Sequence, residues 1–189
     1  MSLTTIDQIT ALIVIDLQKG IVGLAAIHPV SDIVKRASVL ADAFRRRGLP
    51  VVLVNVDGAA PGRTEQAPRI RELPAGWTDL APELNRQPSD HTITKRTWGA
   101  FTNTGLDGHL KKLRVTQVVI AGVSTSAGVE STARHAHELG FNVTLAIDAM
   151  TDLNADAHSN SITRIFPRIG ETGTTEEIIH LLESDSRSS

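Results

Sequence analysis

Apolar residues fall into four runs, ALIVI at 11–15, VVLVNV at 51–56, VVIA at 118–121 and VTLAI at 143–147. They are rich in Val and Ile, and each is too short for a buried helix. Continuous rather than alternating apolarity predicts strands covered on both faces, the pattern of a parallel sheet. HTITK at 91–95 alternates and predicts a fifth, more polar strand, and a short sixth is expected around Arg168–Gly170.

Between these runs the spacing turns helical. In SDIVKRASVLADAFRRRG, residues 31–48, Ile33, Ala37, Leu40, Ala41 and Phe44 share one face, with Ser-Asp at the start and Gly at the end. In GVESTARHAHELG, residues 128–140, Val129, Ala133 and Ala136 form a stripe, and Glu130–Arg134 and Arg134–Glu138 are spaced to pair on the other side. TTEEIIHLLES, 174–184, opens with a capping box from Thr174 to Glu177. Weaker helical patterns lie at 104–113 and 155–165.

Strands alternating with helices predict βαβ units with right-handed crossovers. The expected fold is α/β: three α/β/α layers around a mainly parallel, Rossmann-like sheet of about six strands. One domain is expected over 1–183, with a disordered tail at 184–189. The irregular stretch 57–90 reads as an active-site cover or a subunit contact.

Composition narrows the function. A chain of 189 residues, 41% apolar, suits one soluble globular domain. A net charge of −2 and 3% aromatics argue against nucleic acid and anionic membranes as partners. No apolar stretch reaches transmembrane length and the N-terminus does not read as a signal peptide, so a cytoplasmic location is expected. The chain has no cysteine, which excludes disulfides, thiolate ligands and thiol catalysis.

In open α/β sheets, ligands bind outside the carboxyl ends of the strands. That rule brings together Asp16, Lys95, the turn 122–128 and Asp148. Asp16 follows five apolar residues, so it is expected to be shielded from water and to need a partner. Lys95 or the adjacent Arg96 would supply it, either as a structural ion pair or as a pair working in proton transfer. The turn offers backbone N–H groups at a helix start, which cap the helix and can stabilise an oxyanion. Trp98 and Phe101 read equally as core or as the apolar wall of a pocket. No nucleotide-binding glycine loop is present, and His135 and His137, two apart on a helix, make poor metal co-ligands.

Taken together, ALIVIDLQKG, TKRTWGAF, VVIAGVSTSAGVESTARHA, AIDAMTD and RIFPRIGETGTTEEI resemble the isochorismatase-like hydrolase superfamily along nearly the whole chain. The resemblance implies that Asp16 and Lys95 are two members of an Asp-Lys-Cys triad whose cysteine position is Gly128. It implies a cis peptide at Val123–Ser124 and substrate contacts from Gln18, Trp98, Phe101, Val123, Ser124 and Gly128. It also implies a small-molecule substrate and a homo-oligomer. Neither metal nor cofactor is expected: Asp57 matches the nicotinamidase aspartate, but Ala59 stands where a histidine ligand would be.

Without a thiol the thioester route of the amidases is closed, and Ser126 lies two positions away. Isochorismatases cleave a vinyl ether by protonation, without a thiol, and the missing side chain at Gly128 would leave room for such a substrate. The turn departs from isochorismatases proper in lacking an aromatic near Ser124, and the second strand lacks their glutamine. The leading expectation is a hydrolase using Asp16 as general acid/base with Lys95. A non-catalytic binding relative and a C–N hydrolase using activated water are the alternatives.

Overall fold

Every apolar run becomes a strand because each has a covered face on both sides of one sheet. In the computed structural model, residues 3–65 and 73–184 are described. The elements are β1 (Thr10–Ile15), α1 (Lys19–Val22), α2 (Val30–Arg46), β2 (Val51–Val56), β3 (His91–Lys95) and α3 (Leu106–Lys112). There follow β4 (Gln117–Val123), α4 (Glu130–Glu138), β5 (Asn142–Thr151), α5 (Ala155–Asn160), β6 (Glu171–Gly173) and α6 (Thr175–Ser184). A π-helical turn, Thr125–Val129, joins β4 to α4.

The six strands are all parallel, in the order β3-β2-β1-β4-β5-β6. Odd and even positions of the runs go to opposite faces. Leu12, Val14, Leu53, Val119 and Ala121 pack under α2 and α6. Ala11, Ile13, Ile15, Val52, Val54, Val118 and Ile120 pack with α3 and α4. This two-sided burial is the physical reason for the unbroken apolar pattern.

The capping box forms as expected: the Thr174 N–H donates to Glu177 Oε2 at 2.7 Å, and the Glu177 N–H donates back to Thr174 Oγ1 at 3.2 Å. Arg134 pairs with Glu130 at 2.9 Å. Ser184, expected in the tail, closes α6, and 185–189 lie outside the described residues. The sixth strand falls at Glu171–Gly173, just after the expected 168–170.

The chain runs outward through β1, β2 and β3, then crosses back to β4 and continues through β5 and β6. Strand order therefore reverses between β1 and β4, making this the switch point of the sheet. The two strands approach closely at Gly122, which has φ of 122°. A side chain there would collide with the Ile15 carbonyl, so glycine permits the pairing.

The latter half of the irregular stretch docks beside this point. Ala81 N–H donates to Leu17 O, Lys19 N–H to Asp79 O, and Gly20 N–H to Trp77 O, at 2.8–3.0 Å. Residues 66–72 of the stretch lie outside the described residues.

Candidate active site

Asp16 and the π-helical turn sit side by side at the switch point because β1 and β4 end there. Asp16 takes φ of 54°, left-handed backbone that Asp tolerates better than most residues. Its N–H is still held by Val54 O at 2.9 Å, so the strand ends abruptly with the carboxyl fixed at its tip.

Lys95 comes from the end of β3, two strands away. Its Nζ donates to Asp16 Oδ2 at 2.7 Å and to Thr97 O at 3.1 Å. Both side chains are nearly sealed from water, Asp16 at 5% and Lys95 at 2% exposure. Asp16 Oδ1 is buried and has no hydrogen-bond partner among the described residues. Burial pushes the Asp16 carboxyl up to about 6, against the lowering effect of the Lys95 charge and hydrogen bond. Arg96, the other candidate partner, instead pairs with Asp57 at 2.9 Å.

Gly128 completes the cluster. A Cβ at this position would lie 3.4 Å from Asp16 Oδ2 and 3.4 Å from Val123 O. It would also lie 2.9 Å from Ile15 Cγ2, so the position is packed rather than open. The room expected at Gly128 is not there at the level of the backbone. The Val123–Ser124 peptide is cis, and Ser124 O accepts the N–H groups of Ala127 and Val129.

The lysine segment is tied to the turn through Thr132. The Thr132 hydroxyl donates to Gly128 O at 2.7 Å and accepts the Ala100 N–H at 3.0 Å. Beside Lys95 lies a cavity of about 410 Å³, lined by Asp57, Arg96, Thr97 and Thr102 among others.

Three expected site residues fall elsewhere. The Gln18 side chain is fully buried and spent on backbone: it accepts the Val56 N–H at 2.7 Å and donates to Val56 O and Trp77 O. It ties β1 to β2 and to the 77–80 segment. Phe101 belongs to the core, with its ring centroid 6.0 Å from Phe141 and 5.5 Å from His135. Trp98, 67% exposed, stands in the loop after β3 and is not core.

Asp148 is also displaced. The pairing of β4 with β5 jumps from Ile120–Leu145 to Gly122–Met150, which carries residues 146–149 out of register. Asp148 then caps α6 by accepting the Thr175 N–H at 2.7 Å, and it pairs with Arg36 at 3.1 Å. The carboxylate that reaches the turn is Asp152, which sequence reasoning missed. It accepts the N–H and the hydroxyl of Ser126, and it would have been visible only as a second acid after the β5 run.

Among the described residues no group of three or more His, Asp or Glu side chains is placed to hold a metal ion. A buried carboxyl that shares one oxygen with an ammonium and keeps the other unpaired is equipped for proton transfer.

Known proteins place this geometry in a family. Residues 10–177 match the isochorismatase domain. The chain is 42% identical over 187 residues to the isochorismatase family protein YwoC of Bacillus subtilis, covering 95% of this chain and 97% of that protein. A solved isochorismatase family protein from Burkholderia thailandensis superposes with a TM-score of 0.93 at 39% identity, over 96% of this chain and 100% of that one. At greater distance, Nicotinamidase 3 of Arabidopsis thaliana is 28% identical over 166 residues, 84% of this chain and 81% of that protein. The chain belongs to the isochorismatase family, and it shares that family's three-layer α/β fold.

Proposed function

We propose that the protein is a hydrolase of a small acidic metabolite, a vinyl ether or a related compound, and that it works without a cysteine nucleophile. Gly128 takes the position of the family's thiol, Asp16 is the general acid/base, and Lys95 assists it. One observation carries this reading: Asp16 is buried against Lys95 with Oδ1 left unpaired, and burial pushes its carboxyl up to about 6.

In the proposed reaction Asp16 gives its proton to the enol carbon, which leaves a cation on the ether carbon. Water adds to that carbon and returns a proton to Asp16. The resulting hemiketal collapses, the C–O bond breaks, and a ketone and an alcohol leave. Lys95 holds the carboxylate while it is ionised. The turn's Ser126 and Ala127 N–H groups are already taken, by Asp152 and by Ser124 O, so the proposed step relies on Asp16 and Lys95 and not on an oxyanion site in the turn.

The test is a panel of vinyl ethers, isochorismate included, and simple amides. Asp16→Asn keeps the shape and removes the proton, so turnover should fall roughly 10²- to 10⁴-fold with the circular dichroism spectrum unchanged. Unchanged turnover would refute the role of Asp16. An acid must be protonated, so kcat/KM for a vinyl ether should fall as pH rises through about 6. If amides are turned over instead and the rate rises through that pH, the same carboxylate is acting as a base on water.

A second reading, a binding protein without catalysis, is favoured by the packing at Gly128, where Ile15 closes on the missing side chain. A ligand that binds the wild type and is never turned over would select it.

A further inference from the structure

The turn that brings Gly128 to Asp16 is held from outside its own sequence. Its first residue, Ser124, provides no side-chain cap. The N–H groups at a helix start have no intrahelical partner, so something else must satisfy them. Asp152, 4% exposed, does so. Its Oδ2 accepts the Ser126 N–H at 2.7 Å and the Ser126 hydroxyl at 2.8 Å. Its Oδ1 accepts the N–H groups of Leu153 at 2.7 Å and Asn154 at 3.2 Å. Four donors thus converge on one buried carboxylate.

The same segment grips the turn once more and the start of α4 once. His158 Nδ1 lies 2.8 Å from Thr125 Oγ1, and the Ser161 hydroxyl donates to Glu130 Oε2 at 2.6 Å. The residues after β5 therefore run as a brace along the turn, and Asp152 is the point where a full charge meets the turn's backbone.

We propose that Asp152 is a positioning residue of the candidate active site, holding the 124–128 turn against Asp16 through Ser126. The proposal rests on the reading of Asp16 and Gly128 as the reacting centre. An asparagine at 152 keeps one acceptor oxygen but turns its N–H₂ group toward either Ser126 or the Leu153 and Asn154 N–H groups, so one side of the clamp is lost together with the charge. The turn would then draw away from Asp16 and admit water to it.

The experiment measures two quantities by NMR on the full chain: amide hydrogen exchange at Ser126–Gly128, and the carboxyl titration of Asp16, assigned with Asp16→Asn. Asp152→Asn should speed exchange at the turn about tenfold or more. It should also move the Asp16 titration down from about 6 toward its ordinary value of 3.8, because shielding from water is lost. Ser126→Ala, which keeps the backbone bond, should shift both in the same direction by less. Asp148→Ala, which removes the cap of α6, should change neither.

An Asp152→Asn protein that folds and leaves both readings at wild-type values would overturn the proposal. Faster exchange with no movement of Asp16 would overturn it too, since Asp152 would then be a structural clip. If Asp152→Asn does not fold, Ser126→Ala decides by the same criteria. These readings do not depend on turnover. Loss of the enzymatic reading in the substrate panel is therefore told apart from loss of this one.

Discussion

At the scale of single residues, the site is an electrostatic compromise. Lys95 alone would pull Asp16 down, and burial alone would push it far up; burial wins. The folded titration lies above that of the unfolded chain. Asp16 therefore contributes stability in its protonated form, fully present below about 3.8 and lost as pH rises through about 6. Lys95→Ala should cost about 3–5 kcal/mol at pH 8, where it strands a buried carboxylate. That penalty should shrink as pH falls toward about 6 and level off below it, because without Lys95 the carboxyl takes up its proton at a higher pH and a neutral carboxyl needs no counter-ion. Urea unfolding at pH 5 and pH 8 measures both, and a penalty independent of pH would contradict the burial of Asp16. Gly128→Cys should lower stability by about 1–3 kcal/mol by pressing on the Ile15 methyl. It should leave any acid-catalysed turnover no faster than wild type.

At the scale of elements, the approach of β1 to β4 matters most, because it sets the distance from Asp16 to the turn. Two glycines with positive φ make the point by contrast. Gly122→Ala drives a methyl into the Ile15 carbonyl and should cost more than about 4 kcal/mol, or prevent folding. Gly140, which follows α4, also has positive φ, 89°, but nothing lies within 4 Å of a Cβ there. Gly140→Ala should therefore cost only about 1–2 kcal/mol, the backbone penalty alone. Equal midpoints of urea unfolding for the two variants would show that the β1–β4 contact is looser than the geometry requires.

At the scale of the molecule, a sheet that reverses order between β1 and β4 places the site at one edge, where loops from β1, β3, β4 and β5 converge. Trp98 in the loop after β3 and Leu153 after β5 stay exposed there, at 67% and 45%. Together with the long 57–90 segment, they lead us to expect a homo-oligomer that covers this surface. Light scattering at micromolar concentration should give a mass of at least twice 20.3 kDa. A monomer would count against the expectation.

The strands, the capping box and the shielding of Asp16 were legible in the sequence, because each follows from local spacing or from one topological rule; the choice of Lys95 over Arg96 as its partner was made by the structure, which pairs Arg96 with Asp57. Five consecutive apolar residues before Asp16 fix both its strand and its shielding. The remaining assignments depended on contacts between segments far apart in the chain. Phe101 reads equally as core or wall until Phe141 and His135 are seen beside it. Gln18 looks like a site residue until β2 and the 77–80 segment take up its amide. Asp148 and Asp152 are acids four apart at the end of one strand, and no local pattern ranks them. The slip in register between β4 and β5 sends Asp148 to α6 and Asp152 to the turn. Register is a property of two strands together, so only the tertiary structure could decide which carboxylate serves the site.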